Sequence, residues 1–97
     1  MANLLSGLFR FQMKNWYQVY ILQNAIGKRY IGISENPGKR LLQHNSGQSK
    51  WTANFRPWHL EWLSRPLNLS AARKLENLLK RQKGGNGLNT IMNDFGS

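Results

Sequence analysis

Ninety-seven residues allow one small domain with a modest core and leave little room for a second. Apolar residues at 40% and aromatics at 11% exclude a chain disordered throughout, and the absence of cysteine excludes a disulfide framework, thiol catalysis and cysteine-held zinc. Fourteen basic against four acidic residues give a net charge of +10, which a fold does not need and a polyanion attracts, so nucleic acid is the first expected partner and an anionic surface the second.

No apolar run reaches 18 residues, so no transmembrane helix and no membrane partner are expected. The start, Met1 to Arg10, lacks the basic leading segment of a signal peptide. Residues 1–14 read as a loosely ordered leader and residues 15–95 as a single domain. Nothing argues for export, and a cytoplasmic location with no obligate protein partner is the expectation.

The first compact element is a strand over 16–23, rich in aromatic and β-branched side chains. Alternation places Tyr17, Val19 and Ile21 on one face, and Gln18, Tyr20 and Leu22 on the other. Asn24 to Lys28 carries turn chemistry, with Gly27 able to take a positive φ. A second short strand follows over 29–33. A three-residue loop closed by a bulge suits Gly27. Centred on Ala25, it sets Tyr20 opposite Tyr30, with both phenols on one face.

Asn36-Pro37 is a helix start, with Asn as cap and Pro at the first helical position. The helix is expected from Pro37 to about Asn45, with Leu41 and Leu42 toward the core. Arg40 and His44 fall one turn apart on a shared face. Residues 46–57 read as loop. Trp58 to Leu63 reads as a third strand, with Trp58, Leu60 and Trp62 on one face. Ser70 or Asn68 can cap a second helix running to Lys83, whose apolar stripe is Ala71, Ala72, Leu75, Leu78 and Leu79. A last short helix over 88–95 turns Leu88, Ile91, Met92 and Phe95 inward. The fold class is α+β: a small three-stranded antiparallel sheet flanked by helices, in the order β-β-α-β-α-α.

The four acids, Glu35, Glu61, Glu76 and Asp94, are scattered over a turn, a strand, a helix and the tail. A two-metal centre and a glycosidase carboxylate pair are therefore disfavoured. Glu76 differs in lying at the edge of an apolar helical stripe, and one metal ion on one carboxylate is the most this set can hold. Two histidines without cysteine are too few for a zinc site.

Val19-Tyr20-Ile21 and Tyr30-Ile31-Gly32, ten positions apart and followed by Arg40 and Glu76, resemble the GIY-YIG nuclease family. The segment Arg40 to Gly47 is similar to the family's first helix and the loop after it. Leu75 to Lys80 is similar to the helix that carries its metal-binding glutamate. The first motif departs from its namesake in lacking a glycine, reading Gln18-Val19-Tyr20. Coverage is roughly residues 16–90.

The resemblance implies hydrolysis of a DNA phosphodiester. Tyr20 or Tyr30 would help to deprotonate the attacking water, with Arg40 or Lys39 lowering a phenol that ordinarily titrates near pH ~10. Arg40 would bind the scissile phosphate. Glu76 would hold one Mg²⁺ or Mn²⁺ against the leaving oxygen. His44 would be a second proton acceptor or a phosphate ligand. Asn86 and Asn89 both lie near the place where many members carry an asparagine. The position directly after the second motif, basic in some members, is Ile33.

The expected DNA contacts are Lys39, Lys50, Trp51, Arg56, Lys80, Lys83 and Asn86. Lys50, Trp51, Phe55 and Arg56 mix cations with aromatic rings, a combination suited to single-stranded or branched DNA. The alternative is a non-catalytic basic nucleic-acid-binding module. Against it stands the joint presence of Tyr20, Tyr30, Arg40 and Glu76.

Overall fold

The computed structural model describes residues 16–82 and 85–97. The expected leader at 1–14 and the candidate contact Lys83 lie outside them. Three strands form one antiparallel sheet: β1 (Gln18–Gln23), β2 (Arg29–Ser34) and β3 (His59–Leu63), in the order β2-β1-β3. The helices are α1 (Pro37–Asn45), α2 (Lys50–Ala53), α3 (Leu69–Lys80) and α4 (Gly85–Phe95). The class is α+β, as expected.

The run Val19-Tyr20-Ile21-Leu22 explains why β1 is central. All four side chains are apolar or aromatic, and none is more than 1% exposed. Only a strand covered on both faces can use such a run without alternation. Val19 and Ile21 join Ala72, Leu75 and Leu79 of α3 and Leu88 of α4, with Ile91, Met92 and Phe95 packed around them. Tyr20 and Leu22 face the other way, onto Trp58, with Tyr30, Leu41 and Phe55 alongside. The two clusters sit on opposite sides of one sheet.

The hairpin differs from expectation in its register. Its pairs include Tyr20 with Gly32 and Leu22 with Tyr30, so the loop centres on Ile26 rather than Ala25. Asn24 sets this centre. Its backbone N–H donates to the Lys28 carbonyl and its side-chain oxygen accepts from the Lys28 N–H, while Gly27, at φ +81°, donates to the Asn24 carbonyl. Moving the centre by one residue moves every partner by two, so parity survives. Tyr20 and Tyr30 share a face on a diagonal, not opposite one another.

Helix α1 begins as its sequence indicates. The Asn36 side chain accepts from the Lys39 N–H, and Pro37 takes the first position. Leu41 packs against the Tyr20 cluster, whereas Leu42 is 72% exposed and does not enter the core. The span read as loop contains α2, a single turn, so the observed order is β-β-α-α-β-α-α. Asn45 ties the end of α1 to the start of β3, donating to the Trp58 carbonyl and accepting from its N–H.

Strand β3 corrects a second expectation. Ile21 pairs with Trp62, but Leu22 pairs with Leu60, so Glu61 is an extra residue in a bulge. The bulge inverts the alternation. Trp58 stays in the Tyr20 cluster, while Trp62 packs against the Val19 cluster and Leu60 is left 41% exposed. Asn68, not Ser70, caps α3 by accepting from the Ala71 N–H. That helix ends at Lys80 rather than Lys83, and α4 starts at Gly85, earlier than the expected 88.

Candidate active site

The site is built on the Tyr20 face of the sheet. Tyr20 lies at the centre of β1, and its hydroxyl is 3.1 Å from His44 Nε2 on α1. His44 is itself buried, and its Nδ1 is 2.9 Å from Thr52 Oγ1 on α2. Thr52 in turn donates to the Ser49 carbonyl at 3.3 Å. Tyr30, half-buried on β2, sets its ring 4.6 Å from the His44 ring and 6.2 Å from that of Tyr20.

Gly32 explains how Tyr20 reaches this position. The phenol of Tyr20 lies flat across it, and a Cβ there would stand 2.5 Å from the hydroxyl oxygen. The third residue of the Tyr30-Ile31-Gly32 motif is therefore glycine because a cross-strand phenol occupies the space of a side chain.

Burial and the neighbouring Arg40 charge act on both buried groups. Burial pushes the Tyr20 phenol above its ordinary value, the Arg40 guanidinium beside it pulls the other way, and the neighbouring Tyr30 adds to the rise. Burial dominates, so the expected lowering by Arg40 is present but outweighed. Tyr20 is then a neutral hydroxyl at physiological pH, and it needs a partner if it is to pass on a proton. His44 Nε2 is the basic atom within hydrogen-bond reach of it. Burial and the nearby Arg40 charge hold it below the usual histidine range, so its neutral form prevails.

Arg40, one turn before His44, donates to the Gln43 side-chain oxygen at 2.7 Å. It thereby brings one fixed positive charge to the rim of the Tyr20–His44 pair.

Glu76 belongs to the other layer. It lies on α3, the helix covering the Val19 and Ile21 face, half-buried and paired with Lys80 at 3.1 Å. A cleft of about 350 Å³ at the β2 edge joins the two layers: Tyr30 and Trp51 line it from one side, and Leu79, Lys80 and Leu88 from the other. The remaining acids have separate settings. Glu35 is exposed just after β2 and raises the nearby Tyr17 phenol, Glu61 takes a bidentate bond from Arg29, and Asp94 is on α4. Among the described residues no three His, Asp or Glu converge on a metal position. Glu76 fits a magnesium-like ion as one hard oxygen donor, with water and phosphate left to complete the shell.

The candidate contacts divide. Lys39 and Lys50 are exposed on the first turns of α1 and α2. Trp51 is 46% exposed, stacks obliquely on Trp58 at 6.1 Å, and lies 6.2 Å from Tyr30. Arg56 is turned inward to its own loop, donating to the carbonyls of Ala53 and Asn45 and lying over Gly47. Lys80 is engaged with Glu76, and Asn86 and Asn89 are exposed on α4.

Two residues escaped the sequence reading. Thr52 is wholly buried against His44, and Lys28 sits over Phe55 at 4.5 Å and over Trp51 at 5.9 Å. Lys28 stood in the hairpin turn, where a lysine is ordinary. Thr52 carried no periodic signal.

The family model described as the GIY-YIG catalytic domain matches residues 16–89. The chain is 39% identical over 67 residues to a UPF0213 protein of Aeromonas salmonicida, covering 68% of this chain and 49% of that protein. It is 38% identical over 69 residues to a UPF0213 protein of Aeromonas hydrophila, covering 70% and 50%. A UPF0213 protein of Desulfotalea psychrophila is 35% identical over 68 residues, covering 68% and 61%. The chain thus spans about half the length of the first two relatives. No solved structure matches it significantly. No described helix is long and apolar enough to cross a membrane.

Proposed function

Because the chain belongs to the GIY-YIG family, a family of nucleases, we propose that it is a metal-dependent DNA endonuclease that hydrolyses phosphodiester bonds. The observation that carries this reading is the buried Tyr20–His44 contact at 3.1 Å, beside Arg40 and beneath Tyr30. A neutral phenol backed by a neutral imidazole is a proton-accepting device, and a packing role alone does not require it.

In this reading the attacking water gives its proton to the phenol pair, and Tyr20 releases one from its hydroxyl to His44 Nε2. Arg40 faces the scissile phosphate and offsets the charge that builds on its oxygens. Glu76 would hold one divalent ion, Mg²⁺ or Mn²⁺, which when bound supplies charge stabilisation at the leaving oxygen. Lys80 is the cation that neutralises Glu76 otherwise, and it is freed for a phosphate when the ion takes its place.

The preferred substrate in this proposal is single-stranded or branched DNA, acted on in the cytoplasm without an obligate protein partner. Trp51 supports the preference: it offers a half-exposed ring beside Tyr30, at the mouth of the cleft and below the Lys28 cation. Stacking on such a ring suits an unpaired base and is closed to a paired one.

The test is cleavage of end-labelled single-stranded and duplex DNA with Mg²⁺, with Mn²⁺ and with chelator, by wild type and Glu76→Ala. Metal-dependent cutting that is fastest on single strands and lost in the variant is the expected result. Binding without cutting on any substrate sinks the reading in favour of a nucleic-acid-binding module. Equal rates on both DNA forms at matched salt remove the substrate preference alone.

A further inference from the structure

His44 is held between two hydroxyls, 3.1 Å from Tyr20 Oη through Nε2 and 2.9 Å from Thr52 Oγ1 through Nδ1. A neutral imidazole has one N–H and one lone pair, so it donates to one of these groups and accepts from the other. Thr52 decides the direction. Its Oγ1 also faces the Ser49 carbonyl at 3.3 Å, and a carbonyl can only accept. With the threonine proton on that carbonyl, the Oγ1 lone pairs face the imidazole, and Nδ1 is the nitrogen that carries hydrogen.

We propose that Thr52 is a positioning residue that locks His44 in the Nδ1–H tautomer and so turns the Nε2 lone pair toward the Tyr20 hydroxyl. The use made of that lone pair rests on the nuclease reading above. The tautomer itself does not.

The surroundings of Thr52 favour a fixed hydroxyl. Its side chain is fully buried, so no bulk water competes for it. Its backbone carbonyl accepts from Trp58 Nε1 at 2.8 Å and from the Phe55 N–H at 3.1 Å, which pins the single turn of α2 in place. The reversed arrangement has a chemical cost. If Thr52 donated to Nδ1, Nε2–H would point at the Tyr20 oxygen, and the buried phenol would have no basic nitrogen to receive its proton.

Proton bookkeeping then closes without rearrangement. One O–H bond of water breaks as a new one forms at the Tyr20 oxygen, whose original O–H bond breaks as an N–H bond forms at Nε2. The imidazolium keeps its Nδ1–H on Thr52. The titratable and charged groups that face His44 are Tyr20 from β1, Tyr30 from β2 and Arg40 on its own helix, while α2 brings the neutral Thr52.

Long-range proton–nitrogen correlation spectra of the ¹⁵N-labelled full chain read the tautomer directly, with neither DNA nor metal present. Wild type and Thr52→Ser are expected to show the Nδ1–H form, and Thr52→Val, nearly isosteric, to lose it. In single-turnover cleavage Thr52→Val is expected to slow by at least about tenfold, with DNA affinity unchanged and serine restoring the rate. A wild-type spectrum of the Nε2–H form overturns the proposal whatever the variants do. So does an unaltered tautomer in Thr52→Val, or, where the wild type cuts, equal rates in the serine and valine variants. A wild type that fails to cut but shows the Nδ1–H form, lost in Thr52→Val, supports the tautomer assignment and removes the nuclease reading instead.

Discussion

The two faces of β1 have been put to different uses by residues that alternate along a single strand. Val19 and Ile21 pack on Ala72, Leu75 and Leu79 in an apolar cluster. Tyr20, one position away and just as buried, spends its hydroxyl on His44, behind which Thr52 is buried as well. One face holds the sheet together through apolar burial, and the other keeps a chain of buried polar groups fully partnered. The difference teaches that burial alone does not distinguish core from site. What distinguishes them is whether the buried atoms have protons to move.

The comparison can be broken most strongly at Tyr20. Tyr20→Phe removes only a hydroxyl, so cleavage is expected to fall by about 10²–10⁴-fold. Thermal or denaturant unfolding is expected to show a stability loss of about 1–3 kcal/mol at most, from an unpartnered His44 nitrogen. Leu75→Ala is its mirror. It empties part of the apolar face, and denaturant unfolding is expected to show a loss of about 2–5 kcal/mol. The cleavage rate per folded molecule should stay unchanged, since Leu75 belongs to the Val19 cluster and not to the Tyr20 cluster.

Gly32→Ala tests how far the faces are independent. Its new methyl meets the Tyr20 hydroxyl at 2.5 Å, so the buried phenol must shift. A cost of about 1–3 kcal/mol is expected together with a loss of cutting, because the displaced atom is the one that faces His44. The smallest effect lies in the pH profile. The working form of His44 is neutral, and its pKa is depressed by burial and by Arg40. Activity is therefore retained as pH falls through about 6.5, the ordinary histidine value, and is lost only below it. A rate that already declines above that value places the acid limb on another group.

How much of this was legible depended on how local the cause was. The α1 boundaries followed from Asn36 and Pro37, whose cap and first-turn chemistry act within a few residues. The shared face of Tyr20 and Tyr30 was legible because any odd loop preserves parity. The loop centre was not, since Asn24 is buried and also donates to the Phe55 carbonyl 31 positions away. The stripe of α3 was readable from spacing, and with it the place of Glu76 at its edge. Trp62 was assigned to the wrong face because the bulge at Glu61 arises from pairing, and the bulged carboxylate answers Arg29 across the sheet. Helix α2 is one turn long, too short for a periodic signal, and tertiary bonds to Trp58 and His44 hold it in place. Thr52 was hidden with it. In the site, Tyr20, Tyr30, Arg40 and His44 come together on one face, whereas Glu76 sits on α3 in the opposite layer, paired with Lys80, which lines the cleft at the β2 edge.

The central claim is that Tyr20 and His44 act as one unit in moving a proton. The measurement that tests it is a double-mutant cycle on single-turnover DNA cleavage with Tyr20→Phe, His44→Gln and the pair, under conditions where DNA affinity is matched. If the two form one relay, each single change costs about 10²–10⁴-fold and the double change costs no more than either alone. Losses that multiply in the double variant, or a His44→Gln enzyme that cuts at the wild-type rate, would contradict the account.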